Sequence, residues 1–144
     1  MPDCKLVLVQ DDELPIREIV SHMLISKGYK CESAETAEQT LQTLRSRKII
    51  DLVICRIFEW SDEQFEEMVE RFPDIPVIVC TAARDKNVLR RALRLGAYDF
   101  LLKPFEDFEL FSLVARVLDH RDLRLENRSL QAKLKSPAKG RKSR

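Results

Sequence analysis

Four short apolar runs punctuate the chain: Leu6-Val7-Leu8-Val9, Leu52-Val53-Ile54-Cys55, Val77-Ile78-Val79-Cys80 and Phe100-Leu101-Leu102. None alternates with polar residues, so each predicts a strand buried on both faces, as in a parallel sheet. A fifth segment, Tyr29 to Ser33, is shorter and mixed in character, which predicts an edge strand.

Helical periodicity fills the intervals. Pro15 suits a first helical turn, and Ile16, Ile19, Val20, Met23 and Leu24 recur at 3–4 spacing until Gly28 ends the pattern. Thr36-x-x-Gln39 and Ser61-x-x-Gln64 are capping-box signals, the first ahead of Leu41 and Leu44, the second ahead of Phe65, Met68, Val69 and Phe72. Asp85 predicts the cap of a helix carrying Val88, Ala92 and Leu95, closed by Gly96. Asp107 predicts the cap of a last one carrying Leu110, Phe111, Val114, Val117 and Leu118.

The order is βαβαβαβαβα. Strands alternating with helices predict an α/β, doubly wound parallel sheet of five strands with helices on both faces. In such sheets chemistry lies beyond the carboxyl ends of the strands. The residues there are Gln10 to Glu13, Ala34-Glu35, Arg56 to Trp60, Thr81 to Ala83 and Lys103 to Phe105. No glycine-rich phosphate loop follows any strand, which argues against a dinucleotide or P-loop enzyme.

Composition changes this picture little. Hydrophobic residues at 44% suffice for one core in 144 residues. Four scattered cysteines (Cys4, Cys31, Cys55, Cys80) and two histidines (His22, His120) give neither zinc spacing nor a disulfide framework, and the cysteines read as small core residues. With no apolar run of membrane length and no secretory signal, a reduced cytoplasmic setting is expected. Charge is more informative. Residues 133–144 hold six Lys/Arg and no acid; removing them from 25 bases leaves 19 against 24 acids, or −5 for residues 1–132. The basic character belongs to a tail, which reads as solvated, with nucleic acid or an acidic partner as the alternative.

The strand-end residues resemble the receiver domain of two-component response regulators over roughly residues 5–120. Val9-Gln10-Asp11-Asp12-Glu13-Leu14-Pro15-Ile16-Arg17 resembles the family's acidic pair and following helix. Asp51 to Cys55 resembles the strand leading to the phosphoacceptor, and Pro76 to Ala82 the strand ending in the switch Thr. Gly96 to Phe105 resembles the aromatic switch strand with its Lys-Pro. The resemblance implies a flavodoxin-like sheet in the order 2-1-3-4-5. It implies a signalling role rather than an enzyme, and partners such as a histidine kinase, an output domain or a second copy. The face of the fourth helix, fifth strand and fifth helix is where the family makes such contacts. By the same resemblance, Asp11 and Asp12 take the metal-holding role (or Gln10 and Asp11, in the alternative register). Lys103 with Pro104 neutralises the phosphoryl group, and Thr81 and Phe100 form the switch.

The acceptor position, however, holds Arg56. An arginine stays protonated and only donates. A pocket of three Asp and one Lys would sum to about −2 and attract a divalent cation; Asp11, Asp12, Arg56 and Lys103 sum to zero. A guanidinium there can make bidentate bonds to the carboxylates, so Mg²⁺ binding is expected to be lost and no cofactor is expected. If any metal bound, Asp11 and Asp12 would hold it. A second, independent departure is Trp60 in place of the family's usual Pro, in a loop about one turn short. The expectation is a pseudo-receiver acting by protein–protein interaction without phosphorylation. The alternatives are phosphoryl acceptance at another carboxylate such as Glu59, and a nucleic-acid-associated protein using the basic tail.

Each assignment has a plainer reading. Asp11-Asp12 could be a helix cap, Arg56 a surface residue, and Thr81 and Phe100 core. Lys103 needs a carboxylate partner if buried, and Asp11 or Asp12 can supply one. Residues 121–134 prolong the last helix beyond a domain spanning 1–120, ahead of a tail at 135–144. Leu123, Asn127, Leu130 and Leu134 fall at 4-3-4 spacing, either a short homodimer seam or a charged helix fraying outward.

Overall fold

The computed structural model describes residues 4–46, 49–82 and 86–141, with side chains as far as 134. Its elements are β1 (Leu6–Gln10), α1 (Leu14–Ser26), β2 (Lys30–Ala34), α2 (Ala37–Arg45), β3 (Leu52–Cys55), α3 (Asp62–Arg71), β4 (Val77–Thr81), α4 (Lys86–Leu95), β5 (Asp99–Leu102) and α5 (Asp107–Arg141). A 3₁₀ turn, Ile57–Glu59, follows β3. All neighbouring strands pair in parallel in the order β2-β1-β3-β4-β5, as expected.

Apolar residues on successive strand positions point to opposite faces and build two cores. On one side Leu8, Val53, Cys55, Val77 and Val79 meet Leu41 and Leu44 of α2, Phe65 and Met68 of α3 and Ala92 and Leu95 of α4. On the other Val7, Val9, Leu52, Ile54, Ile78 and Cys80 meet Val20 and Leu24 of α1 and Leu110 to Leu118 of α5. This two-sided burial is why the runs lack alternation.

Local chemistry sets the helix ends. Ser61 and Gln64 form a complete capping box. Thr36 accepts from the Gln39 amide, but the Gln39 side chain takes the Glu35 amide instead of Thr36's, so that box is only half formed. Gly28 and Gly96 close α1 and α4 at φ 96° and 113°. The expected Asp85 cap lies outside the described residues. Asp107 is the first residue of α5 and not its cap; the preceding Glu106 amide donates to the Glu109 carboxylate. The edge strand begins at Lys30 and ends at Ala34, one residue later than predicted. Of the cysteines only Cys55 and Cys80 are core; Cys31 is half-buried and Cys4 exposed. Burial pushes the Cys80 thiol up to about 11 and the Cys55 thiol higher still.

No helix break falls at residue 120. Helix α5 runs on beneath the amino ends of the strands, where buried Arg121 donates to Asp51 Oδ1 at 2.9 Å and Asp51 Oδ2 accepts the Leu6 amide at 2.8 Å. Arg128 adds a bond to Asp74 at 2.6 Å. Leu123, Leu130 and Leu134 are 60%, 50% and 72% exposed, and Asn127 is exposed with them.

Candidate functional site at the carboxyl edge of the sheet

Strands β1, β3, β4 and β5 end together and leave a cleft of about 410 Å³ lined by Glu13, Ile16, Arg56, Phe58, Thr81 and Lys103, among others. Asp11, 4% exposed, sits behind the lining residue Lys103. Its Oδ2 accepts from Lys103 Nζ at 3.2 Å and its Oδ1 accepts the Glu13 amide at 3.0 Å. Arg17 Nη1 donates to the Asp11 carbonyl at 2.7 Å, fixing the β1–α1 junction. The Lys103–Pro104 peptide bond is cis.

Asp12 is exposed and faces the other cation. Arg56 Nη1 donates to its Oδ1 at 2.6 Å. The bidentate geometry that the sequence suggested is therefore not formed: each acid has its own base, Asp11 with Lys103 and Asp12 with Arg56. Partial desolvation raises the Asp12 carboxyl, but the Arg56 hydrogen bond and charge outweigh it and hold the group below its ordinary value. Arg56 is opposed by desolvation too, yet Asp12 pushes its already high value up further. The guanidinium also lies 6.0 Å from the Phe58 ring centroid. Glu13 lines the cleft as well, so Asp11, Asp12, Glu13, Arg56 and Lys103 together sum to −1 and not to the zero obtained from four residues.

Thr81 is buried at the end of β4, with its carbonyl accepting the Lys103 amide at 2.8 Å. Phe100 is half-buried against the α2–α3–α4 core. The structure thus gathers Asp11, Asp12, Arg56, Thr81 and Lys103 around the cleft, sets Phe100 to one side of it, and leaves Leu123, Asn127, Leu130 and Leu134 at the far end of the molecule.

Sequence reasoning missed what Gln10 does. Its side chain is 2% exposed. Gln10 Oε1 accepts both the Arg56 amide and the Trp60 indole N–H, each at 3.0 Å, while Nε2 donates to the Glu35 carbonyl at 3.0 Å. The unusual residues at 10 and 60 are therefore partners in one bond, and the backbone amide of residue 56 shares the same oxygen. A polar residue inside an otherwise apolar strand end was the available signal.

The family model described as response regulator receiver domain matches residues 7–115. The chain belongs to that family. As a receiver domain it resembles an NtrX-like response regulator of Rickettsia bellii at 31% identity over 133 residues, 89% of this chain and 28% of the relative. It is 33% identical over 122 residues to the phosphate regulon transcriptional regulatory protein PhoB of Pseudomonas aeruginosa, covering 79% of this chain and 52% of that protein. The fold superposes on NtrX from Brucella abortus with TM-score 0.83 and 29% identity, over 90% of this chain and 29% of that one. A response regulator from Thermotoga maritima gives 0.75 and 29%, over 81% of this chain and 99% of its own. The receiver domain thus spans under a third of the NtrX-like relatives' length. It is a module of two-component signalling, in which receiver domains interact with histidine kinases and output domains. Among the described residues no helix is long and apolar enough to cross a membrane.

Proposed function

We propose that this receiver domain signals without accepting a phosphoryl group, as a non-enzymatic cytoplasmic module that docks a kinase, an output domain or a second copy. The observation that carries this reading is the Arg56–Asp12 bond at the end of β3. A hard divalent cation needs free carboxylate oxygens. Asp11 has both oxygens engaged, by Lys103 and by the Glu13 amide, and Asp12 has one held by Arg56. The residues present do not fit Mg²⁺ well, and a tethered guanidinium replaces the cation that would neutralise them.

The test is intact mass after incubation with acetyl phosphate and Mg²⁺. No phosphoryl adduct is expected. An adduct mapped to Asp11, Asp12 or Glu59 would overturn the reading and install a rerouted phosphoacceptor in its place. Affinity for DNA that falls steeply with salt would instead favour a nucleic-acid role for the basic tail.

A further inference from the structure

The conventional route from a receiver's pocket to its output face runs through the switch residues, yet this chain contains a second hydrogen-bonded route. It begins at Gln10 Oε1, whose two acceptor positions take the Arg56 amide and the Trp60 indole. These donors bracket the 3₁₀ turn Ile57–Glu59, so one buried oxygen fixes both ends of the β3–α3 segment. Trp60 is 3% exposed and meets Phe65 of α3 edge-on at 5.7 Å. Its backbone carbonyl then accepts Arg91 Nη2 from α4 at 3.0 Å. Arg91 also bonds Asp62, the first residue of α3, with Nε at 2.8 Å and Nη2 at 2.6 Å.

We propose that Gln10, Trp60 and Arg91 form a clamp that holds α4 in one position relative to the pocket without any phosphoryl group. This rests on the phosphorylation-independent reading and supplies its mechanism. The surface held is the outer ridge of α4, where Arg90, Leu93 and Arg94 are exposed. Gln10 and Arg91 are positioning residues: each acts by setting where that ridge stands. Freeing Trp60 would leave its buried indole donor without a partner, while Gln10 Oε1 kept only the Arg56 amide.

Amide hydrogen exchange on the full chain tests this. In Arg91→Met, a partly exposed substitution that preserves helix propensity, exchange across 86–95 should rise at least about tenfold while Val7–Val9 and Leu52–Ile54 stay protected. Exposed Arg90→Met, on the same helix, should change nothing. Gln10→Leu should loosen the segment 57–62 and α4 together. Unchanged α4 exchange in Arg91→Met overturns the clamp, as does an equal rise across α1, α5 and the strands. Should Gln10→Leu fail to fold, Arg91→Met decides alone. Adding acetyl phosphate and Mg²⁺ to the unmodified protein separates the two proposals. A phosphoryl adduct sinks phosphorylation independence whatever α4 then does, while the clamp stands or falls by Arg91→Met in the unphosphorylated protein.

Discussion

At the residue scale, Arg56 decides the chemistry of the cleft. Trp60 is a built-in reporter, since its indole and the Arg56 amide share Gln10 Oε1. Mg²⁺ up to about 10 mM, in the range where sites of one or two carboxylates fill, should leave its emission unchanged at constant ionic strength. Arg56→Asp frees Asp12 and adds a carboxylate, so saturable Mg²⁺-dependent change should appear. Saturable quenching in the unmodified protein would show that Arg56 does not stand in for the cation. Acid gives a second test. The Asp12 carboxyl lies below its ordinary 3.8 in the folded protein. A depressed group contributes stability above its unfolded value and loses it as pH falls through the folded one. The Arg56–Asp12 pair should therefore persist through mild acid and open only below 3.8. NMR titration of Asp12 should show that low midpoint, rising in Arg56→Gln. The accompanying change in stability should be small, because the pair is partly solvated.

At the element scale, glycines separate backbone strain from crowding. Gly28 and Gly96 both sit at positive φ, but a Cβ at Gly28 would meet nothing within 4 Å, whereas one at Gly96 would lie 2.7 Å from Val69 Cγ1 of α3. Gly28→Ala should cost about 1 kcal/mol, from the left-handed backbone alone. Gly96→Ala should cost roughly 1–3 kcal/mol more, because α3 and α4 must move apart. Urea unfolding of the two variants measures the difference. Such elements were legible in the sequence: the unalternating runs announced a two-sided sheet, and Gly28, Gly96 and Ser61-x-x-Gln64 ended or began helices where expected. The half-formed box at Thr36 was not legible, because the Gln39 side chain accepts the Glu35 amide instead. In the cleft, the members could be read from strand ends but their pairing could not. Whether Arg56 takes both acids or one depends on where Lys103 reaches, which is set by the position of β5 two strands away from β3.

At the scale of the whole molecule, the remaining question is what covers the far half of α5. Arg121 and Arg128 point to the domain, onto Asp51 and Asp74. Leu123 and Leu130 each lie two positions further on, about 200° around the helix, so the leucine row faces away from the body that anchors the helix. A short seam of this kind is marginal when the helix must also be formed on association. Here the helix is already anchored to the domain by Arg121 and Arg128, so in a dimer each copy would offer a formed row in which Asn127 would set the register. The full chain should therefore form a concentration-dependent dimer by light scattering, and Leu123→Gln with Leu130→Gln and Leu134→Gln should make it monomeric. These substitutions leave the anchors in place, which truncation at Asp119 would not: losing Arg121 leaves half-buried Asp51 with only the Leu6 amide and should cost about 2 kcal/mol by itself. Thermal unfolding of the triple variant should stay close to that of the unmodified monomer at low concentration, whereas Arg121→Met should unfold markedly earlier. A triple variant that remains dimeric would refute the seam and move the interface to the face of α4, β5 and α5.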